Sequence, residues 1–361
     1  MPTLLPIIMN RTYLLTYLLL LSISMTARTE PEVIKVKAGD AKSLLECIEK
    51  ANRLNADTLS ERVFILIPNG TYDLGEKALT TIEGHNIALI GESMEGTVIV
   101  NAPKTEDEGI GKTATLLNRG WNTYVQDLTL KNALDYYHSG AAGRAVCWQD
   151  KGNRTIFKRV RMLSYQDTYY SHSEECQHYF EDCEIHGTVD FICGAGDVYF
   201  NRCTIVTEKR NADGSGTNVI AAPRTSTTNW GYVFDHCTVR NDESAFHFAR
   251  GWHTVPRCAW LYTRLETPEK MAVERFDPYS IRSVDCIFYE YNTTDAQGNI
   301  LTPTTNVVTF SAKGQQHAAE TVLTPDAARR FTIENIFPDW RPEKITRELI
   351  EETGKIQQTS F

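Results

Sequence analysis

A chain of 361 residues with a formal net charge of −9 lacks the basic surface that nucleic acid demands, and it fits awkwardly with a strongly polyanionic ligand. Its nine cysteines are an odd number, so at least one is unpaired. None stands in Cys-x-x-Cys spacing or clusters with the nine histidines, which leaves a metal site without support.

Residues 1–27 read as an export signal: Arg11, a Leu-rich run from Tyr13 to Ile23, then small residues from Ser24 to Ala27. The run is too short and too early for a spanning helix, with a retained anchor as the alternative, and no later stretch could cross a bilayer. The protein is therefore expected to be exported and periplasmic, surface-held or extracellular, acting as a monomer. A single domain is expected over 28–342, followed by a charged tail over 343–361.

Val33–Val36 alternates like a first strand, and Ala41–Asn55 places Leu44, Leu45, Ile48 and Ala51 on one helical face. Such a helix caps an open sheet end that would otherwise expose unpaired strand edges. Val63–Ile67, closed by the turn Pro68-Asn69-Gly70, then Ile87–Gly91 and Thr97–Asn101, read as short strands.

From Val125 a pattern takes over, with apolar residues at i, i+3 and i+5: Val125/Leu128/Leu130, Phe157/Val160/Met162, Phe180/Cys183/Ile185, Phe200/Cys203/Ile205 and Phe234/Cys237/Val239. The starts lie 32, 23, 20 and 34 residues apart, and a weaker copy falls at Ser283/Cys286/Phe288. Short β-rich units at such a period predict an all-β solenoid whose coils stack and share one core. Cys183, Cys203 and Cys237 share one position of the repeat, which predicts stacked, buried thiols acting as small apolar residues. Ser244–Leu265 interrupts the rhythm. Residues from Thr324-Pro325 to about Phe337 look helical and close the fold, and a short helix over Thr346–Thr353 is expected in the tail.

Two phrases in the middle of the repeat each deliver an aspartate: Tyr165-Gln166-Asp167-Thr168, and Gly187-Thr188-Val189-Asp190-Phe191-Ile192-Cys193-Gly194. Asp167 and Asp190 lie 23 residues apart, each ten past the phenylalanine that starts its copy. Parallel stacking puts equivalent positions about 4.8 Å apart, so the carboxylates should be neighbours. Two close carboxylates do not both ionise cheaply, and the pair divides into an acid and a base or nucleophile. Arg144, another 23 residues upstream, falls by the same arithmetic into the same column.

With these residues the sequence resembles the pectin methylesterases, right-handed parallel β-helix enzymes that remove methyl groups from esterified galacturonic acid. The two aspartate phrases look like that family's catalytic phrases in order and spacing. Asn69-Gly70-Thr71-Tyr72 resembles its early Gly-x-Tyr phrase, and Ala249-Arg250-Gly251-Trp252-His253 its later Gly-Arg-Pro-Trp phrase. The similarity runs loosely from Val33 to Pro342. It implies that Asp190 is the nucleophile, Asp167 the general acid and base, Gln166 an oxyanion donor, and Arg250 the partner that keeps Asp190 ionised. Trp252, Tyr170, Val189, Cys193 and Tyr72 would line the sugar site. The implied partner is a methyl-esterified pectic polysaccharide, with no metal and no cofactor.

The sequence departs from that pattern in three places. Arg144 stands where the family carries a second oxyanion glutamine, Cys193 replaces an aromatic of the sugar-binding wall, and the later phrase lacks its proline and first glycine. An arginine at 144 is a charged oxyanion donor or a reader of a free substrate carboxylate. Two other readings fit the same architecture: a pectate lyase or polygalacturonase that cuts the chain, and a non-catalytic glycan-binding β-helix.

Overall fold

The structure is a computed structural model that describes residues 31–360 apart from 59, 140–142, 227–229, 242 and 254. The expected export signal lies outside the described residues. Contacts divide the chain into Met1–Glu32 and Val33–Phe361, and the second unit holds everything discussed below.

The i, i+3, i+5 pattern has a backbone cause. In an extended strand, side chains alternate, so i and i+3 would face opposite ways. Here a residue two past each starting position is left-handed, with φ between 50° and 54° at Asp127, Arg159, Asp182, Arg202, His236, Tyr262 and Asn292. That single residue turns the corner and sends i+3 back into the core. Left-handed conformations cost a non-glycine residue about 1–2 kcal/mol. Ion pairs between adjacent corners help hold the bend: Arg159 grips Asp127 through Nε and Nη2 at 2.5 and 2.7 Å, and Arg202 Nε donates to Asp182 Oδ1 at 3.0 Å.

Repetition of this bend produces a right-handed parallel β-helix. Its larger sheet carries the predicted strands Val63–Ile67 and Ile87–Gly91, then Tyr124–Asn132, Thr155–Leu163, Gln177–Glu181, Asp197–Asn201, Tyr232–Asp235, Arg257–Leu261 and Ile287–Tyr291. The register joins Val125 to Phe157, Phe157 to Phe180, Phe180 to Phe200, Phe200 to Phe234, and Phe234 to Trp260. From Phe157 onward the rings stack, with centroids 4.3, 4.7, 4.5 and 3.8 Å apart. Each such pair adds roughly 0.5–1.5 kcal/mol beyond the area it buries. Cys183, Cys203 and Cys237 form the adjacent buried column as free thiols.

A second parallel sheet runs through Thr80–Ile82, Leu116–Asn118, Trp148–Asp150, Tyr169–Ser171, Val189–Gly194, Thr217–Pro223, Ala245–Arg250 and Phe276–Asp277. The interruption expected over Ser244–Leu265 is absent. Ala245–Arg250 and Arg257–Leu261 pair in both directions, because Phe246, Phe248 and Trp260 are core residues. The weak copy at Phe288 is also out of phase, since Phe288 pairs with Cys258 and Glu290 faces Trp260.

The helix Ala41–Leu54 covers one end, started by Asp40 Oδ1 accepting from the Ser43 amide at 3.0 Å and burying Leu44, Cys47, Ile48 and Ala51. An antiparallel hairpin, Val307–Ala312 with Gln315–Glu320, adds Val308, Phe310 and Ala312 to the core at the other end. The single helix expected over Thr324–Phe337 is instead two turns, Pro325–Ala328 and Ile333–Ile336. Thr324 and Thr332 each cap a turn with their own hydroxyl, so the second threonine restarts the helix. The tail is not merely charged. Pro342–Ser360 is one helix that packs Ile345, Leu349 and Ile356 against Phe64, Ile90 and Tyr124 on the outside of the larger sheet.

Candidate active site

The second sheet carries the candidate chemistry. Tyr169 pairs with Ile192 and Tyr170 with Cys193, so Asp167 and Asp190 come from adjacent rungs. Both are left-handed, at φ 60° and 53°. Aspartate tolerates that region better than most side chains. Between Val189 and Ile192 the register with the next strand slips: Val189 faces Val219 while Ile192 faces Ala221. Asp190 and Phe191 therefore share one partner position, a bulge that re-aims the Asp190 side chain. Gly187 permits this turn, because a Cβ there would lie 2.2 Å from Phe191 Cβ and 2.6 Å from the Tyr165 carbonyl.

Arg250 reaches Asp190 from two strands further along the sheet. Its Nε donates to Oδ1 at 2.8 Å and its Nη2 to Oδ2, a two-armed contact. Burial raises the Asp190 carboxyl above its ordinary value, and Arg250 opposes that rise. Asp167 is 4 % exposed and, among the described residues, is gripped by no arginine as Asp190 is. Burial, then the charge of Asp190, push its pKa well up, while Arg144 and the Cys193 thiol, 3.8 Å from Oδ1, pull weakly the other way. The two carboxyls thus sit in different surroundings, Asp190 gripped by Arg250 and Asp167 buried beside it with a strongly raised pKa.

A cleft of about 320 Å³ lies beside this pair, lined by their chain neighbours Gln166 and Val189 together with Arg210, His247, Arg250 and Asp277. Asp277 is the register partner of Arg250 and accepts from the Tyr279 amide at 2.9 Å. Trp252 is half-buried, packs its ring 6.1 Å from Tyr170, and carries the Arg224 guanidinium 5.3 Å above its face. Tyr170 is 5 % exposed and bonded to His172, so it backs Trp252 more than it faces the cleft.

Other expected site residues lie elsewhere. Tyr72 is fully buried in the strand Gly70–Asp73, where its hydroxyl donates to the Pro68 carbonyl, so it belongs to the core. Cys193 is also fully buried, beneath Asp167, and lines no sugar wall. Arg144 is offset by one residue. It bridges Gln166 and not Asp167, because one extra residue on its side is absorbed before Trp148 pairs with Tyr169. Its guanidinium is taken up by Glu108, with Nε and Nη2 at 2.9 and 2.7 Å from the carboxylate oxygens.

Sequence reasoning missed Glu108, Arg210, His247 and Asp277. Glu108 and Arg210 sit in loops with no periodic signal. Asp277 stands 27 residues past Arg250, a spacing within the range of the repeat that could have revealed it.

Several known proteins resemble this chain. It is 28% identical over 246 residues to probable pectinesterase 50 of Arabidopsis thaliana, covering 64% of this chain and 65% of that protein. It is 29% identical over 231 residues to probable pectinesterase 49 of the same plant, where it spans 60% of the relative's length. A pectin methylesterase solved in complex with a hexasaccharide superposes with a TM-score of 0.64 at 25% identity, covering 82% of this chain and 93% of that one. Residues 33–321 match the model of the Pectinesterase family, and the chain belongs to that family.

Proposed function

We propose that the protein is a pectin methylesterase that hydrolyses methyl esters of galacturonic acid through Asp190 and Asp167. The observation that carries this reading is a buried Asp167, its carboxyl pushed well above its ordinary pKa, beside an Asp190 held by both arms of Arg250. A carboxylate fixed by Arg250 is aimed as a nucleophile, and a protonated carboxyl beside it is an acid at the right place.

In the proposed sequence an Asp190 oxygen attacks the ester carbonyl carbon. The tetrahedral oxyanion is met by the Gln166 amide, and one well-placed donor lowers such a barrier by roughly 3 kcal/mol. Collapse breaks the C–O bond, and Asp167 gives its proton to the departing methoxide, releasing methanol. Asp167, now ionised, takes a proton from water, whose hydroxide attacks the anhydride carbonyl. Galacturonate leaves, Asp190 recovers its carboxylate and Asp167 its proton.

The substrate is a polysaccharide lying along the cleft with a sugar against Trp252, the protein acting as a monomer. We further propose that residues 1–27 direct export and that the helix Pro342–Ser360 belongs to the folded enzyme. Among the described residues no helix is long and apolar enough to cross a membrane.

Methanol release from pectic fractions of graded esterification, with and without chelator, tests the reading. Methanol without unsaturated sugars is the expected result. Unsaturated products would favour a lyase, and binding without product a non-catalytic module.

A further inference from the structure

We propose that Tyr279 is a positioning residue for the esterase reaction: carried on a turn that packs against Gly251, its ring lies over the Arg250 guanidinium and keeps both arms of Arg250 on Asp190. This rests on the esterase reading and extends it to a residue outside the aspartate phrases. Arg250 ends the strand Ala245–Arg250, and its grip on Asp190 is made by the far end of a long, flexible side chain. A two-armed contact needs the guanidinium plane to match the carboxylate, so whatever fixes that plane also aims Asp190. Tyr279 covers one face of it, with the ring centroid 5.0 Å from the guanidinium carbon, a cation–π contact.

The backbone builds this placement. Phe276–Asp277 pairs with the end of the Arg250 strand, Ala249 facing Phe276 and Arg250 facing Asp277. Past that pair the chain folds back on itself. Asp277 Oδ1 accepts from the Tyr279 amide at 2.9 Å, Ser280 is left-handed at φ 62°, and the Ile281 amide donates to the Pro278 carbonyl at 3.3 Å. Phe276 and Ile281 are buried in the core and pin the two ends of the turn. Tyr279 between them is 63 % exposed, so its ring is placed by the turn and not by burial.

Gly251 is what lets the turn come this close. A Cβ there would lie 2.8 Å from the Ser280 carbonyl oxygen and 3.0 Å from its carbon. The Gly-Arg-Pro-Trp phrase that this segment resembles has a proline at that place, and the turn leaves no room for its ring. A proline would stiffen the strand end by fixing φ. In this chain the stiffening comes instead from the coil that follows, which lays its own turn on Gly251 and its tyrosine on Arg250.

Methanol release from methyl-esterified oligogalacturonide tests the proposal. Tyr279→Ala should lower kcat about two- to fivefold with KM near the parent, the scale of an exposed cation–π contact, and Tyr279→Phe, which keeps the ring, should restore kcat. Gly251→Ala should push the turn away and lower kcat by a similar factor, and the double variant with Tyr279→Ala should be no worse than either alone. A parental kcat in Tyr279→Ala overturns the proposal. So does a loss confined to KM, which would make the ring a sugar contact, or a Tyr279→Phe as impaired as Tyr279→Ala. Melting curves check each fold, and if Gly251→Ala does not fold the two variants at the exposed position 279 decide alone.

A readout without turnover separates this from the esterase reading. In protein carrying isotope-labelled arginine, the Arg250 Nε–H resonance, assigned by its loss in Arg250→Lys, should be sharp in the parent and in Tyr279→Phe and broadened by exchange in Tyr279→Ala. An unchanged resonance in Tyr279→Ala overturns the proposal. If the parent releases no methanol yet the resonance responds to Tyr279, the esterase reading fails and the positioning of Arg250 stands. Methanol release with a resonance and a kcat that both ignore Tyr279 keeps the esterase and removes Tyr279 from it.

Discussion

Arg250 holds both oxygens of Asp190 from two strands away, so the proposed nucleophile is fixed by a residue 60 positions later in the chain. Asp190→Asn removes the attacking oxygen's charge while keeping its shape. Methanol release should fall at least about a thousandfold with the melting temperature near that of the parent. Arg250→Lys keeps the charge but loses the second arm, and kcat should fall roughly 10- to 100-fold. A variant Asp190→Asn with parental turnover would end the assignment.

Asp167 should make the enzyme less stable as it makes it active. A carboxyl whose folded pKa lies above its unfolded value binds its proton more tightly when folded. Its contribution is therefore full below about pH 3.9 and is lost as pH rises through the raised folded value. Asp167→Asn carries no charge to bury, so at neutral pH it should melt a few degrees above the parent, with the gap closing towards pH 4. Turnover should be severely impaired. Melting curves from pH 4 to 8 check the first expectation, and equal curves would show that burial does not strain this group.

Glu108 and Arg144 bear on the Asp167 carboxyl as well. Arg144 lowers the Asp167 pKa, and Glu108 offsets part of that charge. Glu108→Gln should move the basic limb of the kcat/KM profile to lower pH, whereas Arg144→Gln should move it to higher pH. Profiles that coincide would confine the pair to packing.

All nine cysteines are buried and unpaired, so reductant should leave the melting temperature unchanged. A maleimide should label them only after denaturation, because all are buried and burial pushes the Cys147 thiol up to about 12. A fall in melting temperature with reductant would mean that disulfides hold the fold.

The solenoid is legible in the sequence because its core repeats. The Phe and Cys columns stand there as a period, and register follows from that period wherever coils are regular, as from Phe157 to Phe234. The same arithmetic brings Asp167 beside Asp190 and misplaces Arg144 by one residue, because an irregular pairing leaves no mark in composition. Trp260 ends the ring stack where the pattern asks for a phenylalanine, and Phe248 shares its other face at 4.5 Å. The helix Pro342–Ser360 is hard to read in full because its apolar residues are sparse and two threonines occupy buried places. Thr346 and Thr353 are tolerated there by returning their hydroxyls to the Pro342 and Leu349 carbonyls.

That last helix gives the molecule an order of assembly. Coils of a solenoid zip onto their predecessors, each needing only the rung before it. The helix Pro342–Ser360 instead reaches back to the earliest rungs: Gln357 Nε2 donates to the Gly91 carbonyl at 3.2 Å, across 266 residues of chain. Until it docks, Phe64, Ile90 and Tyr124 form an uncovered greasy strip along the outside of the ladder. The helix thus closes the molecule as a latch and not as another rung, and a chain cut short of it would leave that strip of Phe64, Ile90 and Tyr124 without its cover.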